Sequence, residues 1–303
     1  MTAPPSDGPG DDATVTWGQL QREARGRLAV AGMPSPEIDA RRIVEEASGF
    51  DGAELVLGLS TAATVRGVAS FDRMLARRVA GEPLQYVVGR WGFRTLDLLV
   101  DRRVLIPRPE TEQVVGWALD ELDRIRAEVI DRPLVVADLG TGSGAIALSI
   151  VAERDRIEVW ATDASADALD VARANLAGLG RPATRVRLAE GSWFTALPAE
   201  LMGRIDVVVS NPPYVSEVDA LPPEVADWEP AAALVSGPSG LEALLVLVAT
   251  APRWLAHPGV LIVELAPTQA ESVRTSALAA GFDEATIADD FAGRHRAVVA
   301  RLG

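Results

Sequence analysis

The chain has 303 residues, 48% of them hydrophobic, and carries a formal net charge of −14 with no cysteine. It is long enough to bury a substantial core in two domains, while the missing cysteines exclude disulfides, thiolate catalysis and cysteine-ligated zinc. The acidic balance argues against broad binding to a phosphate backbone and favours a basic protein or ribosome-associated partner. Two histidines far apart in sequence, His257 and His295, make a metal site improbable, so no metal is expected. All 29 basic residues are arginine, which is read as nucleotide bias of the source genome. The longest apolar runs, such as 241–251, are too short or too interrupted for the ~20 residues of a membrane span.

Residues 1–15, rich in Pro, Gly and Asp, have neither a basic n-region nor an apolar h-region and read as a disordered tail without an export role. From 16 to 85 the pattern is helical. Leu20, Ala24 and Leu28 recur at a spacing near four, Ile38, Ile43 and Val44 mark a second face after Ser35-Pro36-Glu37, and Phe71, Met74 and Leu75 mark another. Residues 86–93 and 96–100 read as two short strands, giving a β-hairpin linker over 86–107. Pro107 and Pro109 stiffen the start of the next helix, where Glu110 and Glu112 lie near the positive end of its dipole.

Residues 108–303 form the expected catalytic domain. Strand-like runs at 134–139, 157–163, 184–188, 205–210 and 259–265 alternate with helical segments, which implies a parallel sheet with helices on both faces. The first strand runs into Gly140-Thr141-Gly142-Ser143-Gly144, a turn that lets a ligand approach the backbone closely at a helix start offering N–H groups to an anion. Such a turn serves dinucleotides and other nucleoside cofactors alike. Asp163 ends the next strand about 20 residues later, where a carboxylate can accept from both ribose hydroxyls. Trp193 and Phe194 follow the next strand and could flank an adenine ring or equally be plain core aromatics, the reading favoured for Phe194.

Asn211-Pro212-Pro213-Tyr214 follows the apolar run 205–210. It is suited to hold a planar NH2 group, which presents two donors. Asn211 offers a side-chain carbonyl and Pro212 a main-chain one. The prolines fix φ and remove competing N–H groups, and Tyr214 can lie against the flat acceptor. An ordinary turn after a strand would also explain the tetrapeptide taken alone.

The order of glycine turn, acidic strand end, aromatic loop and Asn-Pro-Pro-Tyr resembles the class I S-adenosylmethionine-dependent methyltransferases that act on amide or amino nitrogens. Leu105-Ile106-Pro107-Arg108-Pro109-Glu110-Thr111-Glu112 is similar to the HemK/PrmC family, the protein-(glutamine-N5) methyltransferases of peptide chain release factors. So are Gly81-Glu82-Pro83-Leu84-Gln85-Tyr86, Trp228-Glu229-Pro230, Gly240-Leu241, and Glu264 with Gln269. The resemblance covers nearly the whole chain. Ser192 stands where the family usually has Asp, and Ala266 where it often has Gly.

This resemblance implies an α/β fold of Rossmann-like type. Its seven-stranded sheet has an antiparallel last strand, and a small N-terminal helical domain contributes to substrate recognition. It also implies a cytoplasmic enzyme, taken as monomeric by default, with S-adenosylmethionine as cofactor and peptide chain release factors as protein substrate. The cofactor would lie on Gly140, Thr141, Gly142, Ser143, Gly144, Asp163, Trp193 and Asn211, with the segment at 105–112 beside it. The glutamine amide of a Gly-Gly-Gln segment would lie on Asn211, Pro212, Pro213 and Tyr214, of which Asn211, Pro212 and Tyr214 are catalytic. The competing readings are methylation of an adenine or cytosine amino group in nucleic acid, and a non-catalytic binding protein that keeps only the fold.

Overall fold

The computed structural model describes residues 14–303, which fall into two compact units that meet in sequence at Val88 and Gly89. The tail expected over 1–15 lies outside the described residues as far as residue 13. Val15 already belongs to the fold, its carbonyl accepting the Ala63 N–H at 2.8 Å.

In the first unit, α1 (Trp17–Val30) starts at a reciprocal cap. The Thr16 hydroxyl accepts from the Gln19 N–H at 3.3 Å while the Gln19 side chain accepts from the Thr16 N–H at 2.8 Å, an arrangement that stabilises a helix start by about 0.5–2 kcal/mol. α2 (Pro36–Ser48) opens on proline and stops at the left-handed Gly49; α3 (Gly52–Gly58), α4 (Val65–Val79) and α5 (Leu84–Val88) follow. Leu20, Ala24, Leu28, Ile43, Val44, Phe71, Met74 and Leu75 meet in one core. Ile38 does not join them and is 61% exposed. Five residues before Ile43, it lies about 140° around the helix axis from it.

Residues 86–88, expected as strand, are the last turn of α5. Val-Val runs favour strands, but here a distant arginine caps the helix. Arg77 pairs with Glu82 at 2.8 Å and donates to the carbonyls of Tyr86 and Val87 at 2.8 and 3.1 Å, satisfying acceptors that a helix end leaves open. Gly89, at φ +77°, then turns the chain.

In the second unit, β1 (Arg90–Phe93) and β2 (Leu96–Leu99) make the expected hairpin. It is part of this unit and not a free linker. Arg94 in its turn binds Glu153 at 2.6 and 2.7 Å, and Asn175 exchanges hydrogen bonds with the backbone of Leu99. The remaining elements are α6 (Pro109–Glu128), β3 (Leu134–Leu139), α7 (Ala145–Glu153), β4 (Ile157–Asp163), α8 (Ala166–Gly178), β5 (Val186–Glu190), β6 (Ile205–Ser210), α9 (Pro223–Ala226), α10 (Glu242–Thr250), β7 (Leu255–Glu264), α11 (Ala270–Ala279), β8 (Glu284–Asp289) and β9 (His295–Leu302). β5 starts two residues later than expected because residues 181–185 form a 3-10 turn.

The sheet has seven strands in the order β5-β4-β3-β6-β7-β9-β8, with β9 antiparallel to both neighbours. Alternate side chains serve opposite faces, as the period of two in a strand requires. Val136, Val159, Val207 and Ile262 pack on the side of α6 and α7, whereas Ala137, Val208, Leu261 and Val263 pack on the side of α10 and α11. The chain leaves β3 for β4 on one side and returns to β6 on the other, so the sheet's topological switch point lies between β3 and β6. Among the described residues no helix is long and apolar enough to cross a membrane.

Arg78 and Asp39, both almost fully buried in the first unit, pair at 2.7 Å, and Arg78 also donates to the Glu82 carbonyl at 2.9 Å. Asp39→Ala strands a buried guanidinium. We expect chemical denaturation to show a loss of about 3–5 kcal/mol for this variant.

Candidate active site

The functional side chains gather at the carboxyl ends of β3, β4 and β6. Gly140, Gly142 and Gly144 all have positive φ, from +56° to +86°, which explains the glycine spacing. A Cβ on Gly140 would lie 3.4 Å from the Trp193 ring, while one on Gly142 would project into open space. The turn is tied from within. The Gly140 and Thr141 N–H groups donate to the Thr162 carbonyl at 2.9 and 2.8 Å, Gly142 N–H to Asp163 Oδ2 at 2.9 Å, and Gly144 N–H to the Thr141 carbonyl at 2.9 Å. Those four turn amides are therefore committed within the protein, and what the turn itself offers a ligand is close approach to its backbone.

Below the turn, Asp138 is fully buried and its Oδ2 accepts from the Thr141 hydroxyl at 2.6 Å and the Ala147 N–H at 3.1 Å. Asp138 thus holds the turn and the first residues of α7 together. Asp163 accepts from Ser165 N–H through Oδ1, and each of its carboxylate oxygens keeps a further lone pair.

A cavity of about 370 Å³ opens above these groups, within the range of small-molecule sites. Gly140, Thr141, Gly142 and Ser143 line its floor, Asp163 and Ser165 one side, and Trp193, Ile146, Val104 and Leu105 its apolar walls. Asn211 and Pro213 line it as well; Gly144 instead starts α7, tight against Leu148. Trp193 sits at φ +48°, an uncommon backbone state for a bulky residue that holds its ring at the cavity. Phe194 turns into the core and stacks on Trp254 at 5.7 Å.

A second cavity of about 200 Å³ is lined by Asn211, Pro212, Tyr214, Arg108, Leu221 and Val225, among others. The two share Leu105, Asn211 and Ala233. Asn211 is thus the one polar side chain common to both. Its Nδ2 donates to Thr111 Oγ1 at 3.1 Å, which leaves Oδ1 available to an acceptor's N–H. Thr111 in turn donates to Glu264 Oε2 at 2.7 Å, and Tyr214 donates to Glu264 Oε1 at 3.4 Å.

Two further supports hold the loop after β6. Gln269 Nε2 donates to the carbonyls of Tyr214 and Gly240 at 2.9 and 3.0 Å, and Gly240 is there because a Cβ would stand 2.5 Å from the Tyr214 oxygen. Glu229, buried, accepts the Ile106 N–H at 3.1 Å and pairs with Arg108, which ties the Pro107-Arg108-Pro109 segment to Trp228-Glu229-Pro230. Asp138, Thr111, Glu229, Glu264 and Gln269 were not among the site residues expected from the sequence. Thr111 also lines the first cavity, while the other four act through other residues; for Thr111, Glu229, Glu264 and Gln269 the sequence signal is their place in the family-like segments.

The fold is that of a class I methyltransferase, and the apolar walls, glycine floor and Asp163 fit S-adenosylmethionine. A "PrmC N-terminal domain" model matches residues 19–89 and a "Methyltransferase small domain" model residues 119–226. The release factor glutamine methyltransferase of Streptomyces coelicolor is 44% identical over 253 residues, covering 83% of this chain and 85% of its own. That of Xylella fastidiosa (strain Temecula1) is 40% identical over 275 residues, covering 90% and 96%. Among solved structures, the hMettl16 catalytic domain in complex with MAT2A 3'UTR hairpin 1 shares the fold. It has a TM-score of 0.54 at 15% identity, over 76% of this chain and 80% of that one. The chain belongs to the release factor glutamine methyltransferase family.

Burial raises the Asp138 carboxyl to about 7 from the ordinary 3.8. The bonds from Thr141 and Ala147 oppose this, and the nearby Asp163 charge adds to it. The folded chain keeps a proton that the unfolded chain releases. The resulting stabilisation is complete below about 3.8 and lost as pH rises through about 7. Asp138→Asn should flatten the fall in stability between about pH 4 and 8, as read by urea unfolding. An unchanged slope would contradict this assignment.

Proposed function

We propose that this protein transfers a methyl group from S-adenosylmethionine to the side-chain amide nitrogen, N5, of the glutamine in the Gly-Gly-Gln segment of class I peptide chain release factors, in support of translation termination. The observation that carries the reading is the position of Asn211 between the two cavities, with its NH2 turned to Thr111 and its carbonyl oxygen left for an acceptor.

When bound, S-adenosylmethionine supplies a methyl group already activated on a sulfonium. The residues to hold it are Gly140, Thr141, Gly142, Ser143, Asp163 and Trp193, with Asp163 on the ribose hydroxyls. The harder task is the acceptor, whose nitrogen lone pair is delocalised into its carbonyl. Asn211 Oδ1 and the Pro212 carbonyl accept its two N–H groups, the prolines keep those acceptors fixed, and Tyr214 lies against the amide plane. Positioning of this kind supplies ~7–11 kcal/mol at best. The preset carbonyl dipoles also stabilise the charge that grows on nitrogen. The first, helical unit takes part in recognising the release factor, and the enzyme works as a cytoplasmic monomer without binding nucleic acid directly. A net charge of −14 disfavours a nucleic-acid acceptor.

Incubation of a release factor with the protein and S-adenosylmethionine, followed by mass spectrometry with fragmentation, should place one methyl on the Gly-Gly-Gln glutamine. No methyl despite measurable cofactor binding would overturn the substrate assignment. Asn211→Ala should leave cofactor binding largely intact and raise the barrier by ~2.7–4 kcal/mol, the loss of one preset polar group; unchanged turnover would sink its role. Asp163→Ala removes the acceptor of two backbone amides as well as the ribose contact. It should weaken S-adenosylmethionine binding by about tenfold or more in calorimetry, given ~1.5–3 kcal/mol per charge-assisted hydrogen bond.

A further inference from the structure

Under Asn211 three elements contribute to one hydrogen-bonded chain. Thr111 comes from the first turn of α6, Glu264 from the last residue of β7 and Tyr214 from the loop after β6. A hydroxyl has a single proton. Thr111 gives its proton to Glu264 at 2.7 Å and can therefore only accept from Asn211, at 3.1 Å. That commitment decides which end of the Asn211 amide faces Thr111 and which faces the cavities. Glu264 itself is 1% exposed and lines neither cavity.

We propose that Glu264, acting through Thr111, is a positioning residue that sets the orientation of the Asn211 amide, with the ionised carboxylate as the competent state. This rests on the methyl-transfer reading above and deepens it. Once Glu264 is protonated on Oε2, that oxygen becomes a donor and no longer demands the Thr111 proton. Thr111 can then donate to the Asn211 oxygen, and the Asn211 amide turns its NH2 toward the NH2 of the acceptor glutamine. Two donors then face one another and the grip is lost.

Several groups face Glu264: Thr111 and Glu110 from α6, Tyr214 from the loop, and Arg296 from β9, itself paired with Asp290 at 3.2 Å. Burial raises the Glu264 carboxyl to about 7, against the Thr111 hydroxyl, Arg296 and Tyr214, while Glu110 adds to the rise. Arg108 and Glu110 act on Tyr214, whose phenol burial holds up at about 12, so it stays a donor throughout.

The test uses the full chain with S-adenosylmethionine and a release factor, between about pH 6 and 9. For the wild type, kcat should rise with pH through one ionisation to a plateau. Glu264→Gln should lower the plateau by about 10²-fold, the scale of a misplaced reacting group, abolish that ionisation, and leave the calorimetric affinity for S-adenosylmethionine and KM little changed. Thr111→Val should lower kcat similarly, and Thr111→Ser should restore most of it. A Glu264→Gln enzyme with wild-type kcat and pH profile would overturn the proposal. A second readout needs no substrate. The side-chain NH2 resonances of Asn211, identified by their loss in Asn211→Ala, should shift with pH in the wild type and not in Glu264→Gln. If they fail to titrate in the wild type, the orientation role falls even where methylation is observed; if they titrate and no release factor is methylated, only the substrate assignment falls.

Discussion

Everything at the site hangs on the pairing of β3 with β6. These strands are neighbours in space although β4 and β5 separate them in sequence, and their register sets Asp138 beside Val209. The Ser210 hydroxyl then donates to the Leu139 carbonyl at 2.6 Å, tying together the last residues of both strands. The glycine turn leaves one strand and the Asn-Pro-Pro-Tyr loop the other, so their separation is set by the interstrand distance of a parallel sheet, about 4.7–4.9 Å. Donor and acceptor chemistry is brought together by backbone geometry before any ligand arrives.

The site is built from groups that dislike their surroundings. Asp138 and Glu264 are carboxyls with almost no exposure, and Asp138 Oδ1 has no hydrogen-bond partner. Such burial works against stability. Its return is order: a buried carboxyl bonded to a hydroxyl and an amide holds a turn in one conformation, which preorganised catalysis requires. Glu229 and Gln269 do the same work for the loops on either side, one bonded to Ile106 and Arg108, the other to Tyr214 and Gly240.

What could be read from the residues follows from how local each signal is. Gly140, Asp163, Trp193 and Asn211 each sit at the end of a strand with a pattern of its own, and all of them reach the cavity. The roles of Thr111 and Glu264 are invisible in that way, because the hydrogen bond that gives them meaning spans 153 positions. The same limit explains the misreading at Tyr86 to Val88. Val87 and Val88 are locally strand-like, and the cap that keeps them helical comes from Arg77. Trp193 and Phe194, adjacent aromatics, separate into cavity and core.

The two cavities meet at residues that line both. These are Leu105, Asn211 and Ala233, so two of the three side chains are apolar and only one has hydrogen-bonding demands. A single molecule carrying a nucleoside at one end and a short amide-bearing arm at the other could pass that meeting point while satisfying one asparagine. Linking the two ends would make the second contact intramolecular, with an effective concentration set by the linker. On the methyl-transfer reading proposed above, the pair of cavities is therefore also an address for one inhibitor that imitates both substrates.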